Sequence, residues 1–432
     1  MKMANMDDYF DVVIVGTGAA GLYCALNLPA RYRILLLTKQ KADESDSFLA
    51  QGGICMQHGE ADYRPFFDDT MRAGHYENNP ATVDLMIRSS NSIIRDLVRR
   101  GVRFARDDHG ALRFTREGAH SRPRILFHED ITGHEITQTL LNEVLRCENI
   151  ELREHTTLLD FFADASACGG VIAAGPDGEP RAIGAGAVVL ACGGIGGLYK
   201  NSTNFPHITG DAIAMALRHG VACEHLDYIQ IHPTTLYSHR KGRRFLISES
   251  VRGEGALLLD KNGNRFTNEL QPRDVVSAAI RAQMEKDSTD HVWEDMRPIG
   301  EVAIREHFPN ILERCEEEGY DPIHEPIPVV PAQHYFMGGI TADLSSRTAL
   351  PRLYACGETC CNGVHGRNRL ASNSLLESLV FAQRAADDIL YGEPPVFTGD
   401  KPDLAPYREQ EPLFAAYRQE VLIAIERSKN HE

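Results

Sequence analysis

The run Asp11-Val-Val-Ile-Val-Gly16-Thr-Gly18-Ala-Ala-Gly21 constrains this chain more than any other stretch. A β-branched strand ends in GxGxxG and opens straight into an apolar helical pattern, Leu22 to Leu28. The glycines permit a tight turn, close backbone approach to a pyrophosphate, and close helix–strand packing. The helix N-terminus then offers free N–H groups and a positive dipole end to the phosphates. GxGxxG alone is weak, but the strand before it and the helix after it supply the context of a dinucleotide site. A glycine-rich turn in an ordinary α/β protein is the plainer alternative.

An NAD site wants an acidic residue at the end of the second strand, for the ribose hydroxyls. The second strand, Arg33-Ile-Leu-Leu-Leu37, ends in Thr38-Lys39, and Asp43 and Glu44 come too late. A plain NAD dehydrogenase is therefore disfavoured, which leaves FAD.

At 432 residues the chain is too long for one ordinary core, so two or three domains are expected. The formal charge of −16 disfavours nucleic acid or an anionic membrane as partner. Any anion site must then be a local cluster of Arg and His. Met1 to Asp11 is polar and acidic, unlike a secretory signal, so a cytoplasmic location is expected. Val12 to Ala30 carries no charge, but its glycines and strand-like start favour a nucleotide turn over a membrane span. None of the ten cysteines has zinc-site spacing, and Cys356, Cys360 and Cys361 fall short of an iron–sulfur set. Small buried thiols in a reducing compartment are expected, and no metal.

Asn79-Pro80 reads as N-cap and N1 of a helix that Gly101 stops. Another helix is predicted from about Thr132 to Arg146. Two further strands end in glycine: Ala187 to Ala191 before Gly193, and Leu353 to Cys356 before Gly357. Ligands of open α/β sheets sit beyond the carboxyl ends of strands, so three such ends would converge on one extended cofactor. Residues 224–338, rich in His, Arg and Pro, read as an insertion. One helical stretch, about Glu411 to Arg427, follows a Pro-rich linker.

Nine ordered blocks identify a family. They are Gly16-Thr-Gly-Ala-Ala-Gly21, Ala50-Gln-Gly-Gly53, Thr115-Arg-Glu-Gly118, Gly210-Asp-Ala-Ile-Ala-Met215, Gln230-Ile-His-Pro-Thr234, Arg252-Gly-Glu-Gly255, Pro272-Arg-Asp274, His334-Tyr-Phe-Met-Gly-Gly339 and His365-Gly-Arg-Asn-Arg-Leu-Ala-Ser-Asn-Ser374. Together they resemble the fumarate reductase and succinate dehydrogenase flavoprotein family over about residues 8–390. Within it, Thr115-Arg-Glu-Gly-Ala-His120 is similar to the loop of members that oxidise L-aspartate.

The residues themselves agree. Arg273, Arg369, His232 and His334 are cations or donors that would gather around a small dicarboxylate. Thr234 and Ser248 could add hydroxyls, and Gln230 belongs to the same substrate set by resemblance. His207 and His307 read as structural histidines. Arg273 matches the family's proton-transferring arginine. Arginine is an unusual acid or base, with a pKa above ~12. Its place before the helical pattern Asp274 to Lys286, and neighbouring cations, would disfavour its charge and loosen its proton. A static carboxylate clamp is the equal alternative. Glu117 would pair with the substrate's α-ammonium, which a pocket of cations alone would repel. Its plainer alternative is an ion pair with Arg116, Arg122 or Arg124.

For FAD, the resemblance implies contacts at the glycine turn (Gly16, Thr17, Gly18, Ala19, Ala20, Gly21), at Lys39, and at Asp46, Ser47, Phe48, Leu49, Ala50, Gln51, Gly52 and Gly53. It adds Asp211, Glu358, Ser374 and Leu375. Ser374-Leu-Leu-Glu377 reads as a capping box, whose helix would favour an anionic reduced flavin. Succinate dehydrogenases and membrane fumarate reductases carry a flavin-bonded His five places before the Gln/Glu of their A-(Q/E)-G-G block, where this chain has Asp46. Non-covalent FAD is expected.

The expected fold is α/β: a Rossmann-like FAD-binding domain in two segments, 1–223 and 339–390, with an α+β capping domain at 224–338 and a linker and short helix at 391–432. Members of the family usually carry a larger C-terminal helical domain, so contacts that depend on it are not carried over. The resemblance implies oxidation of L-aspartate to iminoaspartate, with oxygen or fumarate as acceptor. That is the first step of de novo NAD synthesis, with quinolinate synthase taking the product. A soluble fumarate reductase, or a flavin subunit docked to an iron–sulfur partner, are the rivals that Asp46 and Glu117 speak against.

Overall fold

The computed structural model describes residues 8–240, 242–392 and 397–430. Met1 to Asp7 and the Pro394-Pro395 pair of the expected linker lie outside them. The charge-free run resolves into the strand Tyr9–Val15, a glycine turn and the helix Ala19–Asn27. Among the described residues no helix is long and apolar enough to cross a membrane.

Tyr9–Val15 is flanked on one side by parallel Ile34–Leu37 and then Ile150–Arg153. On its other side lies Pro180–Leu190, also parallel. The first half of that strand pairs antiparallel with Cys168–Ala174, which pairs with Thr157–Ala163. Its second half pairs with parallel Leu353–Ala355. Side chains alternate across a strand. Val12 and Ile14 accordingly enter a core with Leu22, Leu376 and Leu379, whereas Val13 and Val15 enter another with Ile213, Val421 and Ile425. Helices cover both faces, which is why the central strands read as unbroken apolar runs.

Helix signals in the sequence have physical counterparts. Asn79 caps Pro80–Arg100 by accepting from the Ala81 N–H, and Gly101 ends it in the left-handed region. Thr132–Val144 and Gln410–Lys429 form as well. The capping box at Ser374 does not. The helix Asn373–Tyr391 starts one residue before it, with Ser372 at the N-cap in the left-handed region. Ser374 Oγ accepts instead from Arg369 Nη1 at 2.6 Å. Glu377 accepts from Asn362 Nδ2 rather than reaching back to the helix start.

A second sheet is antiparallel, in the order Ile229–Leu236, Ile327–Phe336, Val292–Asp295, Leu257–Leu259. It packs a core of its own that includes Ile247, Val251, Val276, Ile280 and Ile311. Its first strand slips register between His232 and Thr235, around Pro233. Bulges of this kind re-aim side chains, and Pro cannot donate to the ladder. His232 sits at that irregularity.

Candidate active site

One elongated cavity, about 1700 Å³ with its open mouth included, runs along the carboxyl ends of three strands. Val15 to Gly18, Ala191 to Gly193 and Cys356 to Glu358 line it, where ligands of open sheets sit. The expected flavin residues line it too, except Ala19, Gly21 and Phe48. Those three stand behind the wall. The Ala19 N–H donates to Ser47 Oγ at 3.0 Å. A Cβ on Gly21 would lie 1.9 Å from the Gly16 carbonyl oxygen, so this glycine serves helix–strand packing. Phe48 packs edge-on to His134.

The cavity suits a long polar cofactor. Gly16 holds φ +113°, and a Cβ there would meet the Ala191 carbonyl oxygen at 2.0 Å. Lys39 Nζ donates to Asp211 Oδ2 at 2.7 Å and lies over the Phe414 ring of the C-terminal helix. Ser45 Oγ, Asp46 Oδ2 and Gln51 Oε1 are buried polar atoms with no protein partner. Such atoms need a donor or acceptor from a ligand or water. Burial raises the Asp46 carboxyl to about 7 and the Glu358 carboxyl to about 8.

At the far end the cavity meets the second sheet. Arg273, Arg369, His232, His334, Ser248 and Glu117 all line it. Burial, then the charge of Arg273, holds both imidazoles well below the ordinary histidine range. The His232 and His334 rings meet edge to face at 5.1 Å, and His334 Nδ1 lies 2.7 Å from Thr203 Oγ1. His232 Nδ1 is held by the Thr234 backbone, and its Nε2 has no partner. Burial, then Arg273, lowers Arg369 to about 10.

Two expected substrate residues stand outside the cavity. Thr234 does not line it, because its hydroxyl donates to the Ile247 carbonyl at 3.1 Å. Gln230 does not line it either. Its Oε1 accepts from Arg273 Nη1 at 3.0 Å and from Arg369 Nε at 3.2 Å, so it spaces the two guanidiniums. His207 lines the cavity, whereas His307 pairs with Glu254.

Arg273 is the first residue of the helix Arg273–Asp287, one position earlier than the pattern predicts. The expected surroundings need correcting. A carboxylate, Glu249, accepts from Arg273 Nε at 2.5 Å and lies 3.8 Å from Arg252 Nη2. Burial alone would raise Glu249, but Arg273 and Arg252 bring it below the ordinary range. Arg273 therefore has an anion in contact, where the sequence suggested only cations around it. A proton leaving Arg273 then has a carboxylate in contact. The sequence reading missed Glu249. Its available signal was an acid one place after Ser248 and three places before Arg252.

Glu117 is only 3% exposed and makes none of the ion pairs considered for it. Arg124 pairs with Asp62 and Asp69, and Arg122 donates to the Ala61 carbonyl. Glu117 instead accepts from two hydroxyls: Ser250 to Oε1 at 2.8 Å and Ser372 to Oε2 at 2.6 Å. Burial first, then Glu249, pushes its carboxyl up, and the hydroxyls and Arg273 oppose this. All ten cysteines are free thiols, and burial raises Cys356, Cys360 and Cys361. Among the described residues no group of three or more His, Cys, Asp or Glu could hold a metal ion.

A profile of the FAD binding domain matches residues 11–375, and with this cavity it makes the chain an FAD-dependent oxidoreductase. A mutant of E. coli quinol fumarate reductase superposes with a TM-score of 0.83 at 31% identity, covering 95% of this chain and 74% of that one. The L-aspartate oxidase of Clostridium perfringens is 48% identical over 380 residues, 88% of this chain and 86% of its own length. That of Neisseria meningitidis is 42% identical, over 89% and 78% of the two chains. The chain belongs to the L-aspartate oxidase family, within the fumarate reductase and succinate dehydrogenase flavoproteins.

Proposed function

We propose that this protein oxidises L-aspartate to iminoaspartate, passing the electrons to oxygen or fumarate. The observation that carries this reading is one cavity wall that joins a buried carboxylate, Glu117, to the donors Arg273, Arg369, His232 and His334. Cations alone would serve any dicarboxylate. The carboxylate among them suits a dicarboxylate with an α-ammonium.

Bound FAD supplies the hydride acceptor. The chain's own residues do the rest. Arg369, His232 and His334 hold the two substrate carboxylates, with Ser248 beside them. Glu117 holds the ammonium and so would turn the single C2 hydrogen toward the flavin. Arg273 relays the proton that the substrate ammonium loses as the imine forms: its guanidinium passes one proton to Glu249 and takes up the substrate's in its place. Gln230 keeps Arg273 and Arg369 apart and aimed, and Thr234 steadies His232. The flavin is held by the glycine turn, Lys39, the Asp46 to Gly53 segment, Asp211, Glu358, Ser374 and Leu375. Residues 1–223 and 339–390 carry that site, 224–338 cap it, and 391–432 add a linker and helix. The unstable imine calls for a consuming enzyme such as quinolinate synthase, early in NAD synthesis. Ten free thiols fit a reducing cytosol.

The test is turnover of the isolated, FAD-loaded chain with aspartate and succinate side by side. Aspartate should give hydrogen peroxide in air, and succinate from added fumarate without air. Succinate oxidation outpacing aspartate oxidation, or activity only with an added iron–sulfur protein, would overturn the reading. A second expectation follows from Asp46, which cannot form a histidyl–flavin bond. Acid precipitation should release all the yellow colour into the supernatant, and colour left on the denatured chain would contradict non-covalent binding.

A further inference from the structure

Glu117 is an unusual carboxylate because each oxygen is tied to a different part of the fold. Oε2 accepts from Ser372, just before the helix Asn373–Tyr391. Oε1 accepts from Ser250, in the short helix Glu249–Gly253 beside the second sheet. Ser250 is buried and does not line the cavity, so its hydroxyl has Glu117 rather than substrate in reach. A third hydroxyl completes the row: Ser248 Oγ donates to Ser250 Oγ at 3.2 Å. The fit is close. A Cβ on Gly52 would fall 2.4 Å from Glu117 Oε1.

Ser372 holds φ +61°, a region that glycine occupies at lower strain. Strain of this kind persists where the surroundings need the side chain. Here the side chain reaches the second oxygen of Glu117. The charged and titratable groups around Glu117 are Glu249 and Arg273 from the insertion, Cys55 from the strand Ile54–Cys55, and Arg369 and His120. Glu249 favours the protonated form of Glu117 and Arg273 the ionised form. A buried carboxylate with no donors takes up a proton and cannot hold a cation.

We propose that Ser250, together with Ser372, is a positioning residue that keeps Glu117 ionised and aimed at the amine of the substrate. This rests on the reading of Glu117 as the ammonium partner. Each hydroxyl stabilises the carboxylate over the carboxylic acid. Removing one should move the acid limb of the aspartate pH profile to higher pH, because Glu117 then ionises later.

The test compares Ser250→Ala, Ser250→Thr and Ser372→Gly with Glu117→Gln, each as the FAD-loaded enzyme. Ser250→Ala should lower kcat/KM for aspartate about tenfold at pH values on the acid limb, and by less above it. It should raise the acid limb by about one pH unit, which is the same factor expressed as a titration. Fumarate reduction, which involves no ammonium, should stay unchanged. Ser250→Thr keeps the hydroxyl and should restore both aspartate readings. Ser372→Gly relieves the backbone, so its melting temperature should not fall, while aspartate kcat/KM should. An unmoved acid limb in Ser250→Ala, or equal losses with aspartate and fumarate, overturns the proposal if Glu117→Gln separates the two substrates. If Glu117→Gln does not separate them, the reading of Glu117 itself falls, and the proposal with it.

Discussion

Arg273→Lys is expected to lower kcat for aspartate by about a hundred- to ten-thousandfold, the range of a lost general acid–base group. The apparent affinity should change far less. Lysine keeps the charge but loses the planar fork that reaches two partners at once. In the native enzyme Nε meets Glu249 at 2.5 Å while Nη1 meets Gln230 at 3.0 Å. A single ammonium cannot reproduce both contacts and also present an N–H to substrate. A static clamp predicts another pattern, in which binding weakens and turnover at saturation survives. Steady-state kinetics at saturating aspartate decides between them. Near-normal kcat in the variant rejects the proton-transfer role.

The parts of this site legible in the sequence are those whose signal is local. GxGxxG needs only its own strand and helix, and Gly16 and Gly21 are fixed by contacts within that unit or with the next strand over. Lys39 and Asp46 carry local cues as well, being defined by what they are not: no acid, no imidazole. What the sequence hid are contacts between distant segments. Ser250 meets Glu117 across 133 positions and Ser372 meets it across 255, and no periodicity encodes such pairs. The capping box at Ser374 misled for a related reason. Its pattern is satisfied locally, but Arg369 claims the Ser374 hydroxyl and Asn362 claims Glu377. Tertiary partners outbid a local cap worth about 1 kcal/mol. Thr234 was misplaced because residue type says nothing of direction. The register slip at Pro233 turns His232 to the cavity and leaves the Thr234 hydroxyl on a backbone carbonyl.

Glu117→Gln should cut kcat/KM for aspartate about ten- to a hundredfold while sparing fumarate reduction. The side chain keeps its shape and loses its charge. A charge-assisted contact to the ammonium is worth roughly 1.5–3 kcal/mol, which sets that range. Fumarate has the same two carboxylates and no amine, so it reads out folding, flavin binding and the carboxylate donors all at once. The variant even favours fumarate slightly, because a negative charge leaves a pocket that holds a dianion. Glutamine also changes the hydrogen bonding behind it, since its amide nitrogen cannot accept from the Ser250 or Ser372 hydroxyl. That change is common to both substrates and cancels in their ratio. The ratio of aspartate to fumarate efficiency, rather than either rate, is therefore the measurement. Equal losses with both would mean that Glu117 braces its loop against Ser250 and Ser372 and does not recognise the amine.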